Sequence, residues 1–566
     1  MLRRSQSGES RARKIDIDRF WLSALDSWLR PISRVRSFRD LDIYLIAREQ
    51  TRIIFSIYRS MIMICISVTP TSRQLAKVDI LNASRHCDLV EVCLDHLAKE
   101  PDMGDLISGF EKPILISCRR KEEGGQWEGT EQQRQALIRQ AIVAGPEYVE
   151  LELDIALDIP RFGNTQRVIS HTSLHKPLGN VDEIFAEAAR VHADVVKFIQ
   201  PTPTLEAAWP LLAAVTKKRD LPVVGMGLGR PGITFSLLGR KYGSPWIYAA
   251  LEQGMESHDG QATVFELNDL YHWSEIEPDT HFVGVIGFGP TETGTVRVFN
   301  AGFKQLGLNT RCLPLAVGDF DQFARRLDTL GINTVLVSPA LGAYVLDLTD
   351  QAEDAAQQSG FADLLLKRKE SGWTAYNTIW RSALKAVEDK LGRKNAEDRP
   401  LDRCNVLVVG ATGTAQAMIH GIHRRKGIVS VTAPDDKKAQ RVARKFGVRC
   451  IPFASLYDTL VDVVILADPN LTAGYTKSEM NPSYLRPHMT LLDVCRLPED
   501  SAFSTEARER GCKIVEPADV YVDQLSTEFK VITGQELPAE AYQAVRPQEG
   551  QSFRPPHLKG SGSSRF

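Results

Sequence analysis

The sequence predicts an α/β protein in which a (β/α)8 TIM barrel is followed by an α/β substrate domain and a Rossmann nucleotide-binding domain. Two observations carry this prediction. Eight short β-rich segments recur between residues 61 and 251, and most are separated by segments of helical periodicity, such as 131–145 and 181–193. Residues 405–417 read NVLVVGATGTAQA, an apolar strand followed by a Gly-containing turn and a helix start.

The elements follow one another in an order that separates five regions. A linker around Pro278 precedes a second α/β region, which begins with a strand at 282–289. A third α/β region begins at residue 405. The predicted barrel strands are 61–66, 89–94, 113–118, 148–153, 167–171, 194–199, 222–227 and 246–251. The predicted regions are an extension at 1–60, the barrel at 61–272, the substrate domain at 280–402, the nucleotide-binding domain at 403–545 and a disordered tail at 546–566.

Composition excludes several classes of protein. The chain has 566 residues, a net charge of −2 and 43% apolar residues, so it lacks the charge that nucleic acid or an anionic membrane would require. No apolar run approaches a membrane span. The nine cysteines form no CxxC pair, which indicates a reducing cytoplasm. The Arg- and Ser-rich residues 1–60 are a transit-like extension, a mildly amphipathic arm, or the product of a start assigned upstream of Met61 or Met63.

The strand ends of the first region carry the residues that could do chemistry. Lys197 lies within the apolar run VVKFI, where burial would favour a neutral amine able to form a Schiff base. The alternative is a structural lysine paired with Glu152. His171 ends the preceding strand and could move a proton beside an imine, or it could be a core histidine. Glu123 could orient that histidine, or it could be a solvated loop acid.

Five motifs of this region occur in the order found in one enzyme family. They are Arg119 four residues before Glu123-Gly124-Gly125, His171 six residues before Pro177, Ala193-Asp194-Val195-Val196-Lys197, Gly243-Ser244, and Ser257 with Gly260-Gln261. With these motifs, residues 62–270 resemble the type I 3-dehydroquinate dehydratases of the shikimate pathway. The resemblance implies a barrel that eliminates water from 3-dehydroquinate without a cofactor.

The resemblance also implies a role for each matched residue. Lys197 would form the Schiff base, His171 would be the general acid and base, and Glu123 would support His171. The implied substrate-binding residues are Glu91 and Arg119 at the ring hydroxyls and Ser257 and Gln261 at the carboxylate end.

Two positions depart from the family pattern. The strand-two Glu-x-Arg is Glu91-Val92-Cys93 here, and the arginine that binds the carboxylate aligns with Ser236. A bidentate arginine is a strong carboxylate ligand, so its loss affects substrate binding. Arg230 or Arg240 is near enough in sequence to replace it.

Residues from 282 to about 540 resemble shikimate dehydrogenase. The opening GVIGFGP, the turn GATGTAQA and the closing ADVYVDQLSTEFKVITG carry this resemblance. The implied substrate-binding residues are Thr293, Thr295, Thr378 and Gln524. The implied cofactor-binding residues, which would hold NADP, are Gly410, Gly413, Thr414 and Ala415.

The catalytic pair of that family is missing. Its lysine falls on Leu341, its aspartate on Ile379 and a substrate asparagine on Asp363. Leu and Ile hold no transferable proton. In the nucleotide site Thr412 replaces a glycine and Pro434 an arginine, although Lys437, Lys438 and Arg441 could meet a 2′-phosphate or form a solvated face.

Three interpretations of the second half remain open: a retained structural module, a dehydrogenase with a repositioned acid and base, and a regulatory ligand-binding domain. For the first half, the alternatives are a class I aldolase and a non-catalytic binding protein. We expect small-molecule substrates, neither nucleic acid nor a membrane as partner, and no metal, since His86, Cys87, Cys93 and His96 do not form a convincing ligand set. A homodimer is left open.

Overall fold

The computed structural model describes residues 62–543 except 230–231, 259, 288–291, 369, 396, 472–479, 481–482, 484 and 496. The predicted N-terminal extension and C-terminal tail lie outside the described residues. So does Arg230, and the side chain of Thr293 is not described either.

The first region forms a nearly closed barrel of eight parallel strands, which confirms the predicted fold class. The hydrogen-bonded order is β7-β6-β5-β4-β3-β2-β1-β8, so that β7 and β8 stand at the two ends. The strands are β1 (Met63–Val68), β2 (Leu89–Cys93), β3 (Ile114–Ser117), β4 (Tyr148–Glu152), β5 (Gln166–Thr172), β6 (Val195–Pro201), β7 (Val223–Leu228) and β8 (Trp246–Ala249).

Helices cover the outside of the barrel. The first five of them begin where the sequence offers a capping side chain: in α3, for example, Thr130 and Gln133 form a reciprocal capping box. Turns rather than an α-helix connect β4 to β5, and a π-helical turn at Glu266–Leu270 follows β8. The helices are α1 (Arg73–Ser84), α2 (Met103–Ile107), α3 (Glu131–Ala144), α4 (Val181–Arg190), α5 (Leu205–Thr216) and α6 (Gly232–Tyr242).

Side chains alternate between the two faces of each barrel strand, and the apolar ones therefore form two separate layers. Residues such as Val168, Ile199 and Val224 pack together in one cluster, which fills the barrel. Ile169 and Phe198 pack in a different cluster with residues of the surrounding helices. Because successive side chains of a strand point to opposite faces, a residue's place in this alternation decides whether it reaches the barrel interior.

The second half contains two further sheets. A mixed sheet has the order β10-β9-β11-β13-β14-β12, with β13 antiparallel to β11 and β14. Its strands and helices are β9 (His281–Ile286), α7 (Glu292–Gln305), β10 (Thr310–Leu315), α8 (Phe320–Leu327), β11 (Ile332–Val337), β12 (Gln351–Ala352), α9 (Asp354–Ser359), β13 (Leu364–Arg368), β14 (Gly372–Tyr376) and α10 (Ile379–Lys390).

The last sheet has the strand order of a Rossmann fold, 3-2-1-4-5-6, and all its pairs are parallel. This confirms the predicted architecture of the third region. Its elements are β15 (Asn405–Val409), α11 (Gly413–Arg424), β16 (Ile428–Thr432), α12 (Asp436–Phe446), β17 (Arg449–Cys450), β18 (Val463–Leu466), β19 (Thr490–Asp493), α13 (Ala502–Glu509) and β20 (Lys513–Val515). Two closing helices follow, α14 (Pro517–Thr533) and α15 (Ala539–Gln543).

Side chains from both halves meet at the junction between the barrel and the mixed sheet. Lys241 of α6 donates a hydrogen bond to the carbonyl oxygen of Thr280 (2.5 Å), and burial lowers its pKa to about 8. Arg311 of β10 donates to the carbonyl oxygen of Tyr271 (2.9 Å) and pairs with Glu275 (2.7 Å). These contacts tie the second half to the end of the barrel domain.

Candidate active site

Lys197 is fully buried inside the barrel among charged and aromatic groups. Its Nζ lies 2.8 Å from a carboxylate oxygen of Glu150 and 3.7 Å from one of Glu91. The ammonium also lies over the ring of Tyr248, 4.4 Å from its centroid. The amine thus faces the interior, as a Schiff-base lysine must.

A second cation completes this buried ionic cluster. Arg119 contacts Glu91 and donates to both carboxylate oxygens of Glu150 (3.2 and 3.0 Å), while the Ser67 hydroxyl donates to Glu91 (2.6 Å). Burial alone would raise the pKa of Glu150, but Arg119 and Lys197 outweigh it and hold that pKa well below its usual value. Two carboxylates and two cations therefore neutralise one another.

Lys197 pairs with Glu150 and not with Glu152, the partner that the sequence suggested. Glu152 lies at the end of β4, where Arg134 of α3 donates a hydrogen bond to it (2.7 Å). In the cluster, Glu150 is the hydrogen-bond acceptor that holds Nζ of Lys197 in place. The lysine attacks a ketone only as a neutral amine.

His171 does not share the face of Lys197, contrary to the sequence-based prediction. Lys197 pairs in register with Ser170, and Ile199, an interior residue, pairs with Thr172. His171 pairs instead with Phe198, which belongs to the outer layer.

The surroundings of His171 agree with an outward orientation. Burial lowers its pKa below the usual value, and Glu187 of α4, an outer helix, acts in the opposite direction. The residues that β5 turns toward the interior at this end are Ser170 and Thr172, whose hydroxyls are buried without a hydrogen-bond partner among the described residues.

Glu123 lies in a 3-10 turn at the mouth of the barrel, directly after β3. Its carboxylate accepts a hydrogen bond from Arg120 (3.0 Å). Burial, assisted by the negative charge of Glu152, raises the pKa of Glu123 to about 7. A carboxyl group with such a pKa can both accept and return a proton near neutral pH.

Ser257 and Gln261 are brought together in the loop that follows β8. The backbone N–H and the hydroxyl of Ser257 donate to the amide oxygen of Gln261 (2.8 and 3.1 Å). The Nε2 of Gln261 is buried without a partner among the described residues, so it is a donor free to bind a ligand. Arg240 donates to the carbonyl oxygen of Ser274 (3.2 Å) and lies over the ring of Trp273, and its role as a replacement for the lost arginine stays a prediction.

In the second half, Thr378 and Gln524 are linked through a residue that the sequence analysis did not select. Both donate a hydrogen bond to the same carboxylate oxygen of Glu528, at 3.3 and 2.9 Å. Asp363 accepts the backbone N–H groups of Thr378 (2.8 Å) and Ile379 (2.7 Å) at the start of α10.

The hydroxyl of Thr295 is hydrogen-bonded to that of Tyr521 (2.7 Å), and both residues are buried. Leu341 and Ile379 contribute only apolar side chains to this region.

The Gly-rich turn between β15 and α11 has the geometry of a dinucleotide site. Gly410 has φ +135°, and a Cβ there would lie 3.0 Å from the backbone of Ala467. Thr412 caps α11 by accepting the N–H of Ala415 (3.1 Å), and Gly413 and Thr414 form its first turn. A helix N-terminus at the carboxyl edge of a parallel sheet suits a pyrophosphate. The residues of this turn therefore fit the pyrophosphate of a dinucleotide such as NADP.

The other nucleotide-site residues lie at the edge of the sheet after β16. Four exposed residues lie there: Pro434, Lys437, Lys438 and Arg441. The three basic side chains could contact a 2′-phosphate or form a solvated face, and their exposure agrees with either.

The most informative residues missed by the sequence analysis are Glu150, Tyr248 and Glu528. Glu150 had a visible signal, an acidic residue at an interior position of the strand YVELE. Glu528 had one as well, an acidic residue one helical turn after Gln524, and the structure shows that it is buried. No cluster of three or more potential metal ligands occurs among the residues that the structure describes. Within the same residues no helix is long and apolar enough to cross a membrane.

Comparison with known proteins agrees with the division into two halves. The model of the type I 3-dehydroquinase family matches residues 64–278. The chain is 26% identical over 536 residues to the bifunctional 3-dehydroquinate dehydratase/shikimate dehydrogenase, chloroplastic, of Arabidopsis thaliana, which covers 90% of this chain and 88% of the relative.

Relatives named as only a dehydratase or only a dehydrogenase each match one half of the chain. A 3-dehydroquinate dehydratase of Dehalococcoides mccartyi is 26% identical over 217 residues, covering 37% of this chain and 95% of its own. A shikimate dehydrogenase (NADP(+)) of Syntrophobacter fumaroxidans is 25% identical over 250 residues, covering 43% of this chain and 84% of its own.

Proposed function

We propose, from the premise that residues 64–278 are a type I 3-dehydroquinase domain, that the barrel dehydrates 3-dehydroquinate to 3-dehydroshikimate through an imine on Lys197. The observation that carries this proposal is the fully buried amine of Lys197, held between two carboxylates inside the barrel. A lysine so placed is positioned to attack a ketone that enters from the mouth.

The first step is formation of the imine. Lys197, held by its hydrogen bond to Glu150, releases a proton to water at the mouth of the barrel; its free amine then adds to the substrate ketone, whose oxygen leaves as water. Arg119 and Glu91 line this part of the site and bind ring hydroxyls. Gln261, with its unpartnered Nε2, and Ser257 bind the carboxylate end.

The second step is the elimination, for which we assign the proton transfer to Glu123. The iminium withdraws electrons from the adjacent C–H bond, so that a weak base suffices to remove the proton. Glu123 takes that proton, the C–H electrons form the new double bond, and the β-hydroxyl leaves with the proton returned by Glu123. Water then hydrolyses the imine and releases the enone. This assignment replaces the role that the sequence gave to His171, and the raised pKa of Glu123 supports it.

A second candidate function is a protein that binds the same ligands without turning them over. The outward orientation of His171 favours it for the barrel, as do Leu341 and Ile379 for the second half. In this case the ketone would be captured on Lys197 and released unchanged.

For the second half we propose binding of NADP by the turn that contains Gly410, Gly413, Thr414 and Ala415. The dinucleotide would supply or accept a hydride, while Thr378 and Gln524 would orient a cyclic polyhydroxy acid. Thr293 and Thr295 are proposed for its carboxylate. We also propose a cytoplasmic location, which the nine cysteines, all outside disulfides, support, and keep the homodimer as a prediction.

Borohydride trapping tests the barrel proposal. Reduction of the full-length protein with 3-dehydroquinate should add the mass of the reduced ligand to the peptide that contains Lys197. Lys197→Ala should remove the adduct, and Lys121→Ala, an exposed lysine, should retain it. An adduct that persists in Lys197→Ala, or trapping only by small aldolase ketones, would contradict the proposal.

A further inference from the structure

The second half contains a buried acid that the resemblance to shikimate dehydrogenase does not explain. Glu528 lies on α14, one turn after Gln524, and its side chain is buried. Its hydrogen-bond donors are two neutral groups, Thr378 Oγ1 at 3.3 Å and Gln524 Nε2 at 2.9 Å. Glu528 thus touches two of the residues proposed to bind substrate.

The hydrogen bonds distinguish Glu528 from Asp363, the second buried acid of this group. Burial raises the pKa of Asp363 to about 6, while the three bonds that it accepts from the backbone N–H groups of Thr378 and Ile379 at the start of α10 act in the opposite direction. The two bonds to Glu528 both go to Oε1, so Oε2 is the atom that can carry a proton.

The charges around Glu528 favour that protonated form. Burial, and then the negative charge of Asp363, raise the pKa of Glu528 well above its usual value. The other titratable group that faces it is the phenol of Tyr521, whose own pKa burial also raises. A buried carboxylic acid beside a fixed carboxylate holds its proton at neutral pH.

We propose that Glu528 is the proton-transfer residue of the second half, in place of the lysine and aspartate that Leu341 and Ile379 replace. In a ketone reduction, a bound reduced nicotinamide dinucleotide would supply a hydride to the carbonyl carbon, and the carbonyl oxygen would receive the proton that Glu528 carries on Oε2. Glu528 is left as a carboxylate and regains a proton from water. This inference rests on the proposed binding of a nicotinamide dinucleotide by the second half.

The test compares Glu528→Gln with wild type in the full-length protein. Glutamine keeps the size and the hydrogen bonds of the side chain but cannot transfer its proton. Asp519→Asn is the matched control, because it makes the same change at an exposed position of the same helix. The substrate is 3-dehydroshikimate with NADPH and, separately, with NADH, and turnover is followed by the absorbance of the reduced nicotinamide.

We expect wild type and Asp519→Asn to oxidise the dinucleotide, and Glu528→Gln to lose about 100-fold or more in kcat with unchanged dinucleotide affinity. The kcat of wild type should fall as pH rises through the raised pKa of Glu528. Absence of turnover in wild type with either dinucleotide, or an unchanged kcat in Glu528→Gln, would overturn the proposal.

An infrared readout tests the same residue independently of turnover. At neutral pH the difference spectrum between wild type and Glu528→Gln should contain the C=O stretch of one protonated carboxylic acid, and the Asp519→Asn spectrum should not. A missing band would show that Glu528 is ionised and would overturn the proposal. Enone formation by the barrel is measured with Lys197→Ala, so the failure of either half's proposal is recognised separately.

Discussion

Thr172→His should introduce the imidazole that the barrel interior lacks. Thr172 lies two residues after Ser170, the register partner of Lys197, and on the same face of the sheet. With strands about 4.8 Å apart and a rise of about 3.3 Å per residue, the Cα atoms of residues 172 and 197 are about 8 Å apart. Side chains as long as histidine and lysine can meet across this distance around a bound ligand.

A correctly placed general base contributes about 10²–10⁴-fold, or about 3–5 kcal/mol of barrier. We therefore expect Thr172→His to raise the rate of enone formation from 3-dehydroquinate by at least about tenfold, because the introduced ring is not perfectly positioned. His171→Ala, by contrast, should change the rate no more than His175→Ala, an exposed control in the following loop. Steady-state enone absorbance measures all three variants.

A loss of about 100-fold in His171→Ala alone would refute this reasoning, because it would show that the imidazole reaches the imine. An unchanged rate of enone formation in Thr172→His would also refute this reasoning, provided that borohydride still traps the ligand on Lys197 of that variant.

Three other predictions concern stability. Because the pKa of Glu123 is raised from 4.5 to about 7, its contribution to folding is complete below pH 4.5 and is lost as the pH rises to about 7. The unfolding free energy of wild type should therefore fall relative to Glu123→Gln by up to about 3 kcal/mol over that range; urea titrations that show a constant difference would contradict this. Lys197→Met should lower the unfolding free energy by about 3–5 kcal/mol, since Glu150 loses a buried partner, and a change below about 1 kcal/mol would argue against the ion pair. Gly410→Ala should cost about 1–3 kcal/mol and weaken NADPH binding because its Cβ would crowd Ala467; an unchanged melting temperature would contradict the tight turn.

The sequence predicted the strands of the barrel closely, for a physical reason. Buried parallel strands are short apolar runs between turns, and runs such as 113–118 and 148–153 stand out from their polar surroundings. The structure places β3 at Ile114–Ser117 and β4 at Tyr148–Glu152. The Rossmann order followed in the same way from one strand-turn-helix unit at 405–417.

The face on which a side chain lies was harder to predict. His171 matches the family motif through its spacing to Pro177, but spacing along a loop does not determine the register of the preceding strand. A shift of one residue in β5 moves every side chain to the opposite face. The pairing of Ser170 with Lys197 is a contact between strands, and one sequence contains no signal for it.

Long-range ionic contacts were unpredictable for a similar reason. Glu150 and Glu152 are two residues apart and lie on the same face of β4, so the sequence allowed either to pair with Lys197. Arg134, 18 residues before Glu152 in the chain, binds Glu152 at the strand end. Glu150 is thereby the carboxylate that remains for the interior lysine. Such choices depend on where helices pack, which the strand pattern does not specify.

The most direct test of the central claim is enone formation by the purified full-length protein supplied with 3-dehydroquinate. The account predicts that absorbance of the enone rises with wild type, is abolished by Lys197→Ala, and is lowered by about 100-fold or more in Glu123→Gln while borohydride still traps the ligand on Lys197. If wild type forms the trapped adduct but no enone, the barrel binds its ligand without dehydrating it, and the proposed dehydratase function is contradicted.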